Sequence, residues 1–336
     1  MAEHFSFAEQ VLHYFDRPHT SMPDGPLSGR SAWRGADLAH DRSWETTLGE
    51  GQVAELDEAV GLARATGKEL AALAAADFPL PTLHTEIARW REELDEGRGF
   101  LLVRGLPVDR WSREETETAF WCLGQHLGRP GAQSGRNDLL GHVTDLGDPA
   151  DADGRQYRTN QDIRFHCDAA DVVGLLCLKT AKEGGASRLV SSVTVFNALL
   201  AQRPEVVPRL FEPFLLDTRE EREGGTPHVP IQPCCFDGTR LRTFMHVGYF
   251  SSVVRHGVEL DDAAAAALSA WEEVAERPDI HLDMEFGPGD LQLVSNHTVT
   301  HARTAYVDHD DAVDKRHLLR LWLSLISERQ PAGSAS

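Results

Sequence analysis

Apolar positions follow two rhythms along this chain, and the change of rhythm divides it. Helical periodicity dominates the first third, predicting helices over Gln52–Thr66, Pro81–Glu96 and Arg113–Leu127. The second helix has proline at its start and Glu96-Gly97 at its end, and the third is closed by Gly128-Arg129-Pro130. Gly99–Leu106 reads as a strand between them. From Arg164 the period shortens to two, as Arg164–Asp168 ends a strand and Asp171–Leu178 forms a buried one. Helices over Val193–Gln202, Glu205–Leu210 and Asp261–Glu276 alternate with strands near Phe214, Val229 and Leu241–His246. The turn Phe286-Gly287-Pro288-Gly289-Asp290 then leads into an apolar strand, Leu291–Ser295, and a polar one, Thr298–Thr304. In Arg316–Leu325 one parity holds Arg316, Leu318, Arg320, Trp322 and Ser324, while the other holds His317 and a leucine column at 319, 321, 323 and 325. A strand accounts for that split, with two arginines facing a pocket.

Many strands bounded by turns, with helices clustered early and in the middle, predict a mainly β fold with flanking helices, a double-stranded β-helix or jelly roll. A length of 336 residues suits one catalytic domain. The predicted organisation is an N-terminal arm over 1–43, a single jelly-roll domain over 44–330 and a flexible tail over 331–336. The arm is rich in Pro, Gly, Ser, His and Asp and reads as extended. The acidic stretch 148–161 reads as a long loop that covers substrate.

The chemistry sits in the polar residues of those strands. His166 and Asp168 are spaced i and i+2, which on a helix places them about 200° apart but on a strand puts both on one face, roughly 7 Å apart. The pair therefore needs a strand. Two imidazoles and one carboxylate on one face of an octahedral metal leave three adjacent positions open, the arrangement of non-heme Fe(II) sites that handle dioxygen. His301 supplies the third ligand, with His297, of the same strand parity, as its rival. Cys167 points to the opposite face and packs. A buried arginine at 316 or 320 requires an anion, and a planar guanidinium matches a carboxylate in two parallel bonds.

Taken together, Phe165-His166-Cys167-Asp168, Glu183-Gly184-Gly185-Ala186-Ser187, Pro288-Gly289-Asp290, Asn296-His297, His301-Ala302-Arg303 and Arg316 to Leu323 resemble the Fe(II)- and 2-oxoglutarate-dependent dioxygenases of the taurine dioxygenase and clavaminate synthase-like superfamily. The resemblance runs from about Trp44 to Ser327. It implies Fe(II) on His166, Asp168 and His301, with 2-oxoglutarate and dioxygen as cosubstrates. Ser187 takes the place of the hydroxyl that touches 2-oxoglutarate, and Arg316 that of the anchor for its distal carboxylate. Asp308 to Lys315 lengthens the His301 to Arg316 spacing, so Arg320 stays open as the alternative anchor. The related halogenases lack the carboxylate that Asp168 provides.

Composition narrows the partners. Lys plus Arg number 33 against 53 Asp plus Glu, a formal net charge of -20, so long-range repulsion disfavours nucleic acid. Five cysteines without a metal-binding C-x-x-C spacing suit reduced thiols in the cytoplasm, and no apolar run is long enough to span a membrane. Dinucleotide, P-loop, zincin and nucleophile-elbow motifs are missing from the sequence. The function expected is oxygenation of an unactivated C–H bond of a small molecule, hydroxylation above all, in amino-acid or secondary-metabolite tailoring. A non-oxidative jelly-roll protein, an isomerase or sensor, is the alternative.

Overall fold

The structure, a computed structural model, describes residues 4–147, 159–219 and 225–325. Two sheets enclose the interior. The larger runs Glu45–Thr47, Phe100–Arg104, Leu291–Ser295, Val172–Lys179, His317–Ser324 and Arg129–Gly131, with Gly141–Val143 also paired to His317–Ser324. The smaller runs Leu282–Met284, Ser187–Ser191, Val299–Arg303 and Ile163–His166. From residue 163 the core strands pass back and forth between the two sheets, except that Leu282–Met284 follows Ser187–Ser191 in the smaller one, and their neighbours are antiparallel, which is the winding of a jelly roll. That winding brings Ile163–His166 beside Val299–Arg303 although the whole stretch 167–298 lies between them.

The leucine column behaves as its parity requires. Leu319, Leu321 and Leu323 face outward into a core with Phe120 and Trp121 of the helix Arg113–Leu127. Burial of each leucine stabilises by about 1.5–3 kcal/mol. A Cβ on Gly124 of that helix would stand 2.8 Å from Leu321 Cδ1, so the contact needs a bare backbone there. On the other face Trp322 joins Phe100, Leu102, Val173, Leu189, Val294 and Val299 between the sheets. A third core lies under the helices Ser192–Gln202 and Asp262–Ala275, the latter capped by Asp261, whose carboxylate accepts from the Ala264 N–H at 2.7 Å.

Three expectations change. Glu205–Leu210 is not an α-helix but two short 3-10 turns, each with proline in its first turn. The Leu241–His246 strand stops at Thr243. The arm is not extended throughout, because Phe7–Phe15 is a nine-residue helix. Ser6 and Glu9 cap it reciprocally, with the Ser6 N–H donating to Glu9 Oε2 at 2.8 Å. Its buried side, Gln10 and Tyr14, docks on the barrel: the Ser324 hydroxyl donates to Gln10 Oε1 at 3.1 Å, and the Tyr14 hydroxyl to the Asn296 carbonyl at 2.9 Å. Most of the 148–161 loop and the whole 331–336 tail lie outside the described residues.

Candidate active site

His166 closes the strand Ile163–His166, His301 sits mid-strand in Val299–Arg303, and the two are opposed in register. Their ring centroids are 4.3 Å apart. Asp168 lies two residues beyond the end of its strand rather than on it. A buried amide fixes that turn instead: Asn296 Oδ1 accepts the Asp168 N–H at 3.0 Å, and Asn296 Nδ2 donates to the Ala170 carbonyl at 2.9 Å. The alternation persists through Cys167, whose N–H bonds the Met245 carbonyl at 2.7 Å and whose side chain is buried in the core.

One donor atom from each of His166, Asp168 and His301 lies within 4.8 Å of the others. His301 Nε2 is 3.7 Å from Asp168 Oδ2, too far for a hydrogen bond. That oxygen is buried and accepts no hydrogen bond, an arrangement that costs desolvation energy with no return from the protein. His166 Nδ1 lies 2.9 Å from the Arg164 carbonyl, which only accepts, so Nδ1 carries a proton and Nε2 is the nitrogen that can serve a metal. Burial, and then the neighbouring His166, push the His301 imidazole down to about 3, so it is neutral and has a lone pair to offer. Burial pushes the Asp168 carboxyl up, yet Arg320 and the surrounding imidazoles bring it below its ordinary value. Two imidazoles and a carboxylate with one unsatisfied oxygen fit a divalent cation held by hard and borderline ligands.

His297, the rival ligand, belongs to a different cluster. Its Nε2 donates to Asp171 Oδ1 at 2.8 Å, and its ring stacks on Tyr14 with centroids 4.7 Å apart.

The arginines occupy two levels of the interior. Arg320 stands next to Asp168, Nη1 to Oδ1 3.8 Å, and its Nε donates to Gln133 Oε1 at 2.7 Å. Arg316 is buried further along, its guanidinium 5.1 Å from the Tyr306 ring centroid. Gly185, with φ at 74°, makes room for it, since a Cβ there would meet Arg316 Nε at 3.1 Å. Ser187 is buried across the barrel and shares a hydrogen bond with Gln292 of the opposite sheet, Nε2 to Oγ 3.0 Å. Gln292 was legible as the one polar side chain in Leu291-Gln292-Leu293, but it carried no motif.

A cavity of about 290 Å³ opens beside His166 and Asp168. The N-terminal helix gives it Phe7, Val11 and Phe15, one apolar stripe with four-residue spacing. Arg320 and Trp322 also line it, as do His246 and Tyr249, whose rings stack at 3.8 Å. His246 forms an isolated bridge with His166, and burial with the nearby His166 holds it well below the ordinary histidine range. Nothing local in the sequence distinguishes His246, because it reaches the site through tertiary structure alone.

Comparisons with known proteins bear on the family of the chain. The profile of the taurine catabolism dioxygenase TauD, TfdA family matches residues 63–322. The FR-33289 synthase of Streptomyces rubellomurinus is 32% identical over 314 residues, covering 91% of this chain and 92% of that protein. A taurine hydroxylase-like protein, SAT17, of Stachybotrys chartarum is 28% identical, covering 91% and 82%. Among solved structures, an asparagine oxygenase in complex with Fe(II), 3-hydroxyasparagine and succinate superposes with a TM-score of 0.68 at 19% identity, over 84% of this chain and 93% of that one. The non-heme iron oxygenase OrfP with Fe and alpha-ketoglutaric acid superposes at 0.63 and 17%, over 83% and 94%. The chain belongs to the TauD/TfdA dioxygenase family, and it is an enzyme of that class on a jelly-roll fold. The non-oxidative alternative is not favoured. Among the described residues no helix is long and apolar enough to cross a membrane.

Proposed function

We propose that the chain is an Fe(II)- and 2-oxoglutarate-dependent oxygenase in which His166, Asp168 and His301 hold the metal and the substrate occupies the adjoining cavity. The observation that carries this reading is the buried, unbonded Asp168 Oδ2 close to the imidazoles of His166 and His301, with His166 and Asp168 at the cavity wall. When bound, the iron with 2-oxoglutarate and dioxygen supplies the oxidant for an unactivated C–H bond, giving succinate and carbon dioxide as coproducts. The remaining work belongs to the protein. Arg164 fixes the tautomer of His166 through its carbonyl, and Asn296 fixes the turn that carries Asp168. Arg316 anchors the distal carboxylate of 2-oxoglutarate with Ser187 beside it, and Arg320, at the level of Asp168, serves the reacting end of the site.

The substrate class we infer is a small amino-acid-like or secondary-metabolite molecule, and hydroxylation is the reaction. Support comes from the FR-33289 synthase relative and from neighbours crystallised with 3-hydroxyasparagine and hydroxy-L-arginine. The mixed wall, apolar from the Phe7–Phe15 helix and polar at Arg320 and His246, suits a molecule with one apolar side. We further propose one catalytic domain over 44–330 and a cytoplasmic setting, the five cysteines all being free and buried. Succinate release on adding candidate compounds to the Fe(II)-loaded enzyme tests the activity. Release that depends on the compound supports it, and release that never exceeds the substrate-free rate across amino acids and their derivatives contradicts the substrate class.

A further inference from the structure

Two residues past His301, Arg303 is 7% exposed and has little to bond. Its Nη2 donates to the Thr159 carbonyl at 2.7 Å and to the Gln161 carbonyl, but its Nε and Nη1 are buried with no hydrogen-bond partner. Arg316, 4% exposed, likewise leaves Nη1 buried and unbonded. The two guanidiniums share one aromatic ring, lying 4.9 and 5.1 Å from the Tyr306 centroid. Among the described residues neither has an ion-pair partner. Asp308, beside Arg316, spends one oxygen on the backbone N–H groups of Arg316 and His309. Two adjacent buried cations with unsatisfied donors repel each other and lack the hydrogen bonds that burial demands. An anion seated between them removes both costs.

Position narrows the anion. Arg303 and His301 point to the same face of their strand, about 7 Å apart along it. Ser187 is the residue opposite Arg303 in the neighbouring strand. A five-carbon 2-oxo diacid held at the metal by its C1 and C2 oxygens carries its far carboxyl carbon about 5 Å away, from four bonds of about 1.5 Å. The far carboxylate therefore falls at the level of Arg303, Arg316 and Ser187.

We infer that Arg303 is a second guanidinium for the distal carboxylate of 2-oxoglutarate, gripping it together with Arg316 rather than serving only to clasp the 159–161 backbone. This rests on the iron and 2-oxoglutarate reading above. Two forks in place of one make the site select against 2-oxo monoacids, because a ligand without the second carboxylate leaves both cations buried and unpaired.

The test is anaerobic titration of the Fe(II)-loaded full-length protein with 2-oxoglutarate and, separately, with 2-oxobutanoate, following the weak visible chelation band and the heat of binding. Arg303→Met should weaken 2-oxoglutarate about tenfold or more and leave 2-oxobutanoate nearly unchanged, collapsing the preference between them. Arg303→Lys, which keeps the charge without the fork, should lower the preference by a smaller factor, and it carries the test if Arg303→Met does not fold. A preference unchanged in the folded Arg303 variants, while Arg316→Met abolishes it, would overturn the inference and leave Arg303 as a backbone clasp. No chelation band in the wild-type protein would overturn the iron and 2-oxoglutarate reading itself, and the assignment of Arg303 with it.

Discussion

Asp168 and Asp171 stand three residues apart, and each faces two imidazoles. Around Asp171 both carboxylate oxygens are bonded: Oδ1 takes His297 Nε2 at 2.8 Å, and Oδ2 takes His13 Nε2 at 2.9 Å and the Leu325 N–H at 2.8 Å. Around Asp168 the imidazoles stand off, and Oδ2 is left buried and bare. The first carboxylate is fully bonded within the protein and ties four segments of chain together; the second has one oxygen that no protein group bonds. Proximity of histidine and aspartate therefore does not by itself mark a metal site. The distinguishing feature is the unsatisfied oxygen, and a close hydrogen-bonded ion pair is the sign of structure.

That contrast has consequences of graded size. Asp168→Ala and His301→Ala should each abolish turnover while moving the melting temperature by no more than about a few degrees, since neither side chain holds the core; product assay beside a thermal scan checks both halves. Asp171→Ala should do the reverse, costing about 3–5 kcal/mol in denaturant unfolding because buried partners of the carboxylate lose their acceptor, while the folded fraction still binds metal. Acid should separate the clusters further. Asp171 is held far below its ordinary value of 3.8, because hydrogen bonds from His13 and His297 outweigh burial, which pushes it up. The unfolded chain therefore takes up this proton first, so the stability Asp171 contributes is present above about pH 4 and is lost as pH falls below it. Unfolding curves for wild type and Asp171→Asn should accordingly converge as pH drops below about 4 and stay apart at neutral pH. The smallest effect belongs to Tyr14→Phe, which removes the hydroxyl bonded to the Asn296 carbonyl and should cost about 1 kcal/mol, with 2-oxoglutarate affinity unchanged.

How far the chain could be read from its residues follows the same division between local and distant causes. The leucine column at 319, 321 and 323 was legible because a strand's period of two is written directly into the sequence, and so was the outward face it forms. The His166, Asp168 and His301 set was legible as a pattern, although the strand thought to carry Asp168 ends at His166 and an amide from Asn296 takes over. The helix Phe7–Phe15 is masked in the sequence by the proline- and glycine-rich arm around it, although its Ser6 and Glu9 capping pair is a local signal. His246, and the pairing of His13 with Asp171, had no local signature: their partners come from positions 80 to 158 residues away. Parity placed Arg316 and Arg320 on one face but could not order them along the barrel. Their levels depend on what each meets, Asp168 for one and the Tyr306 ring for the other.

The most direct test of the contrast is equilibrium binding of Fe(II) under anaerobic conditions to wild type, His301→Ala and His297→Ala. One equivalent of Fe(II) should bind to wild type and to folded His297→Ala, and none should bind tightly to His301→Ala. Tight binding that survives in His301→Ala but disappears in His297→Ala would contradict the account, placing the metal in the cluster whose carboxylate is already bonded.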